Sequence, residues 1–114
     1  MSHRSPVQHP VAGAVSFDNL MALRHAGEAV IASAEGPVEM QLGGLDGGNS
    51  AAVALLMAWL RAAARAGVEV TFVDVPPEVR KIVELSGLTD VLPMRPARAG
   101  EPDRSLAEHA ADRG

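Results

Sequence analysis

The amino-acid sequence predicts an α/β domain with a mainly parallel central sheet covered by helices. Segments of period-2 alternation and segments of helical spacing follow one another in turn, and glycine or proline marks most changes of period. Apolar residues make up 47% of the 114-residue chain, enough for one core and too little chain for two.

Residues 1–10 hold two prolines and two histidines without periodicity, so they are expected to form a flexible lead-in. A first strand is expected between Gln8 and Val15, with order beginning near Val11. From Ser16, read as an N-cap, the residues Leu20, Leu23, Gly27, Val30, Ile31 and Ala34 recur at helical spacing until Gly36-Pro37 stops them. Val38, Met40 and Leu42 alternate with Glu39 and Gln41, the mark of a strand with one buried face. The following GGLDGGNS carries four glycines in eight residues and reads as a loop. Asn49 or Ser50 caps a second helix, AAVALLMAWLRAAARAG, which Gly67 ends. Val68, Val70 and Phe72 then alternate with Glu69 and Thr71, and Pro76-Pro77 opens a third helix that runs through Val79, Ile82 and Val83 to Gly87. The domain is expected to span residues 11–94. Residues 95–114 hold little large apolar surface to offset the entropy of ordering and are expected to be a disordered tail, with a weak helical pattern at Ser105 to Asp112.

Composition excludes several functions. A net charge of −4 with no basic stripe argues against nucleic acid. The absence of cysteine removes disulfides, thiolate metal sites and thiol nucleophiles together. The opening residues lack a signal-peptide pattern, and the apolar run Ala51 to Leu60 is half the length that crosses a bilayer, so a cytoplasmic protein without direct membrane insertion is expected. His3, His9, His25 and His109 form no i, i+4 pair and meet no carboxylate cluster, so no metal site is expected. No catalytic triad can be assembled and no G-x-S-x-G elbow surrounds Ser50; neither an enzyme nor a cofactor is expected.

The glycine-rich loop has three readings. Gly43, four residues, Gly48, Asn49 and Ser50 resemble a Walker A loop, but Asn49 stands where the lysine that reaches the β- and γ-phosphates belongs, so nucleotide hydrolysis is discounted. The glycines can simply turn the chain while Asn49 and Ser50 cap the helix. A hydroxyl at a helix start is also a place where a phosphoryl group or a partner surface would be felt strongly.

The second helix shows little polar surface. At 100° per residue, Val53, Leu56, Met57, Leu60, Ala63 and Ala64 form one stripe, expected to face the sheet. The opposite side holds Ala51, Ala54, Leu55, Ala58 and Ala62, with Trp59 at its flank and only Arg61 and Arg65 for charge. Alanine's helix propensity accounts for the small residues but not for Leu55 or Trp59. This side is therefore expected to be a flat apolar patch for another protein.

Residues 11–94 resemble a STAS domain (sulphate transporter and anti-sigma-factor antagonist). VAGAVSFDN is similar to the family's passage from first strand to first helix, MQLGGLDGGNSAAVALL to its Asp-Leu-Ser-Gly-Val, three residues, Asp-Ser-x-Gly-Leu segment, and VPPEVRKIVELSGLTDVLPM to its third helix and ending. Gln41 and Asn49 stand where the family usually has aspartates, and Ser50 stands at its phosphorylatable position. The resemblance implies a STAS-like fold whose N-terminal edge strand is absent or shortened. The alanine- and leucine-rich second helix looks most like the MlaB branch, which implies a non-catalytic subunit bound to the MlaF-like ATPase of a phospholipid-transport ABC complex, peripheral at the inner membrane through that partner. The alternative implied is an anti-sigma-factor antagonist switched by phosphorylation of Ser50, with a serine kinase or anti-sigma factor as partner. The expected partner-binding set is Asn49, Ser50, Ala51, Ala54, Leu55, Ala58, Trp59 and Ala62. On this expectation Leu55→Asp or Ala58→Glu leaves the domain folded and weakens partner binding by about 2 kcal/mol or more, measured by calorimetry.

Overall fold

Strands and helices alternate along the whole of the computed structural model, which describes residues 5–97. The order is β1 (Val7–Gly13), α1 (Leu20–Ser33), β2 (Val38–Leu45), α2 (Ser50–Ala66), β3 (Val70–Val73), α3 (Pro77–Leu85) and β4 (Met94–Arg95). The four strands are parallel and lie side by side in chain order. Right-handed crossovers between successive neighbours in such a sheet put all the connecting helices on one face. On that face α1 packs on α2 and α2 on α3, so α2 is the middle helix of the layer.

The α/β class is the expected one, but several boundaries differ. The first strand begins at Val7, ahead of Val11, and its Val7 N–H donates to Pro37 O at 2.8 Å. Val7–Pro10 is thus part of the sheet rather than of the expected lead-in; residues 1–4 and 98–114, where the rest of the lead-in and most of the tail were expected, lie outside the described residues. Pro10 is compatible with the strand because its register makes Val7 and His9 bond to β2 and turns Pro10 toward the free edge, where its missing N–H costs no ladder bond. β2 runs on through Gly43, Gly44 and Leu45, which shortens the expected glycine-rich loop to Asp46–Asn49. Ser16 does not cap α1. Asn19 holds that position, and its side chain accepts from Ser16 N at 2.8 Å and donates to Ala14 O at 2.9 Å, closing the turn before the helix. The sequence pattern does not signal β4, two residues paired with Phe72 and Val73.

The largest correction concerns α2. Ala51, Leu55, Ala58, Trp59 and Ala62 are buried within the monomer, Leu55 with 1% of its surface exposed. The reason is the position of α2 between two helices, which leaves one narrow strip of its surface to solvent. Trp59 marks the side toward α1. A Cβ on Gly27 of α1 would overlap its ring, and its indole N–H donates to Arg24 O at 3.1 Å. Ala51, Leu55, Ala58 and Ala62 occupy the arc between Trp59 and the exposed strip, so the small residues let α1 and α2 approach closely inside the domain. The expected inner stripe is also rotated, since Ala64 is exposed and Met57 and Leu60 are half-buried.

Trp59 also meets His9 of β1 edge to face, with ring centroids 6.1 Å apart and planes at 87°. Burial there holds the His9 imidazole below its ordinary pKa of about 6.5.

Three outcomes follow from this packing. Leu55→Asp is expected to unfold the domain, costing about 3 kcal/mol or more, which circular dichroism and urea titration would register. Gly27→Ala forces a methyl into the Trp59 ring and is expected to cost about 2 kcal/mol in the same titration. Because the folded state disfavours protonated His9 while the unfolded chain accepts the proton near pH 6.5, the His9 contribution is complete above that pH and is lost as pH falls below it toward the folded value. Urea midpoints at pH 7.5 and 5.5 should therefore differ more for this protein than for His9→Gln.

Candidate functional site

Three loops meet along the rim formed by the carboxyl ends of the strands, the usual place for recognition in parallel sheets. Asn49 joins two of them. Its side-chain oxygen accepts from Ala52 N at 3.0 Å, capping α2, and its side-chain amide donates to Val15 O at 2.9 Å in the β1–α1 loop. Gly48 joins the third, lying so close to α3 that an added Cβ would stand 2.7 Å from Val79 Cγ2 and 2.8 Å from Val79 N. Only glycine fits that approach.

This arrangement leaves Ser50 exposed at the first position of α2, with no acidic residue in that helix's first turn. Helical spacing places Ser50, Ala54, Met57, Arg61, Ala64 and Arg65 within about 100° of arc, the strip left open by α1 and α3. Across the Asn49 to Val15 tie, Phe17 is 74% exposed and Met21 53% exposed. They are large apolar side chains on the same rim as Ser50.

Of the expected set, Asn49, Ser50 and Ala54 are on the accessible rim and strip; Ala51, Leu55, Ala58, Trp59 and Ala62 are not. Phe17 and Met21 are exposed on the rim but lie outside the expected set. The available signal was Phe17 itself, a large apolar residue among turn formers in SFDN and outside the helical period of Leu20, Leu23 and Gly27. The Walker A likeness fails on charge, because Asn49, where the lysine belongs, turns its side chain to Ala52 N and Val15 O. Among the described residues no group of three His, Asp or Glu side chains could hold a metal ion, and no helix is long and apolar enough to cross a membrane.

The opposite face of the sheet carries a different cluster. Glu39 on β2 accepts from Gln8 on β1 at 3.3 Å and pairs with Arg95 on β4 at 2.8 Å, linking three strands by side chains over Thr71. Glu39 and Gln41 are buried, whereas the alternation predicts an exposed polar face. At the end of this face Asp74, Val75, Arg80, Met94, Arg95 and Pro96 line an open hollow of ≈ 360 Å³.

The family described as the MlaB type of STAS domain matches residues 3–95. The chain belongs to this family. Its structure is similar to a chain of the Acinetobacter MlaFEDB complex in an ATP-bound conformation, with 29% identity, 77% of this chain and 93% of that chain covered, and a TM-score of 0.69. It shares its fold with the anti-sigma factor antagonist SpoIIAA in the unphosphorylated form, at 22% identity, with 99% of this chain and 90% of that chain covered and a TM-score of 0.65. No curated protein matches the sequence. The four-stranded parallel sheet with three helices is thus the STAS fold.

For this STAS domain, Asn49→Ala is expected to cost about 1–3 kcal/mol, since it removes a helix cap and the bond to Val15 together. Ser50→Ala is expected to stay within about 0.5 kcal/mol. Thermal or urea unfolding of the two variants separates the cap from its exposed neighbour.

Proposed function

We propose that this STAS domain is a non-catalytic subunit that binds and stabilises or regulates the ATPase of an ABC complex moving phospholipid, and so serves the lipid asymmetry of the outer membrane. The observation that carries the reading is the exposed pair Phe17 and Met21 beside Ser50 and Ala54, on a chain 29% identical to one in the MlaFEDB complex. An apolar rim with a polar border suits a protein partner, which would cover the two side chains and exclude water around Ser50. The small Ala54 and the intermediate Met57 extend that contact along the open strip of α2, ending at Arg61. The domain would then lie on the cytoplasmic side, peripheral to the inner membrane through the ATPase.

The likeness in fold to SpoIIAA supports a second reading, an antagonist whose partner is an anti-sigma factor or serine kinase and whose switch is phosphate on Ser50. Both readings use the same rim. The first is favoured because the residue before Ser50 is Asn49, whose side chain is committed to the helix cap and to Val15 rather than offered as an acid.

Affinity purification from the native cell is expected to recover an ABC ATPase; recovery of a serine kinase in its place would decide for the antagonist. With the ATPase in hand, Phe17→Asp is expected to weaken binding by about 2 kcal/mol, or roughly 30-fold, in calorimetry while the urea midpoint stays unchanged. Ser50→Glu should weaken it more than Ser50→Ala. Unchanged affinity for Phe17→Asp would place the contact away from this rim.

A further inference from the structure

We infer that the outer face of α1 is a second docking surface, and that its occupant is α1 of a second copy of this chain, laid antiparallel about a two-fold axis near Gly27. α1 is an outer helix of its layer, with α2 packed on one side only. Its exposed positions from residue 21 to residue 33 carry nothing but alanine, apart from Met21, His25 and Ser33. No aspartate, glutamate, lysine or arginine interrupts them, where a solvated helix face carries charge. Phe17 and Met21, 74% and 53% exposed, add large apolar area at the amino end of this face.

Size and charge on this face both select an antiparallel copy. Large side chains stand at the amino end of α1 and small ones at the carboxyl end, so a parallel copy would set large on large and small on small. Turned end for end, the copy receives Met21 over its Ala32 and Ser33, stacks Ala32 on Ala22 and Ala29 on His25, and lets the two helices approach closely. Arg24 and Glu28 pair at 2.8 Å along one flank of the same face, with 42% and 23% of their side chains exposed. In this register Arg24 of each copy stands within about 3 Å, measured along the axis, of Glu28 of the other, and the two pairs close into one network of alternating charge. A parallel copy would set like charges side by side. A strip one helix wide and roughly 21 Å long, with Phe17 added, buries about 1,000 Å² in the pair, the lower limit for a specific interface. The contact is therefore weak and governed by concentration. It uses Phe17, so it belongs to the free chain whatever binds the rim.

Sedimentation equilibrium of the full chain tests this, over loading concentrations from about 5 to about 500 µM. The chain is expected to pass from monomer to dimer with a dissociation constant of roughly 10–100 µM. Ala29→Glu, an exposed helix position at the centre of the contact, should weaken the dimer at least tenfold and leave the urea midpoint of the dilute monomer unchanged. Arg24→Glu should also weaken it, and adding Glu28→Arg to that variant should restore it, because the exchanged charges again meet their opposites across the axis. A monomer at every concentration, a dimer that Ala29→Glu leaves intact, or a loss in Arg24→Glu that Glu28→Arg fails to reverse would overturn the inference.

Discussion

The Trp59 ring lies where a Cβ of Gly27 would stand, and this contact sets the spacing of the helix layer. Any side chain at residue 27 would force α1 away from α2. The bond from the indole to Arg24 O satisfies the one polar atom that burial of the ring would otherwise strand. With α1 held this close, the alanines at 51, 58 and 62 and Leu55 become core, and α2 retains only the strip from Ser50 to Arg65 for solvent. The accessible surface of the domain is thus a consequence of an internal contact.

The rim depends on a second device of the same kind. Asn49 spends both ends of its amide on neighbouring backbone, and Gly48 allows the loop to press on α3. Three βα loops are thereby fixed to one another, so Phe17, Met21 and Ser50 are presented from a rigid edge rather than from independent loops. Rigidity of this sort lowers the entropy lost when a partner docks.

The two faces of the sheet differ in chemistry because parallel crossovers serve only one of them. The helix side is closed by Val38, Met40, Leu42, Val70 and Phe72. The other carries a polar strap that takes one carboxylate, one guanidinium and one amide from three strands. Glu39 is consequently buried without being unpaired, which is the condition for tolerating a charge there.

Much of this was legible in the chain. Period-2 alternation at Val38 to Leu42 and Val68 to Phe72, helical spacing before Gly36 and Gly67, and Pro76-Pro77 specify the order of elements, because local periodicity and turn chemistry are properties of neighbouring residues. The capping role of Asn49 was legible for the same reason, and the family likeness was carried by whole segments. What the chain could not disclose was which side of α2 faces outward. A helical wheel orders residues around an axis but does not say how many neighbours that axis has, and α2 has a sheet beneath it and a helix on either side. The burial of Leu55 and Trp59, the exposure of Phe17 and Met21, the two-residue β4 and the Glu39 to Arg95 pair all arise between residues far apart in sequence, where only the tertiary structure decides.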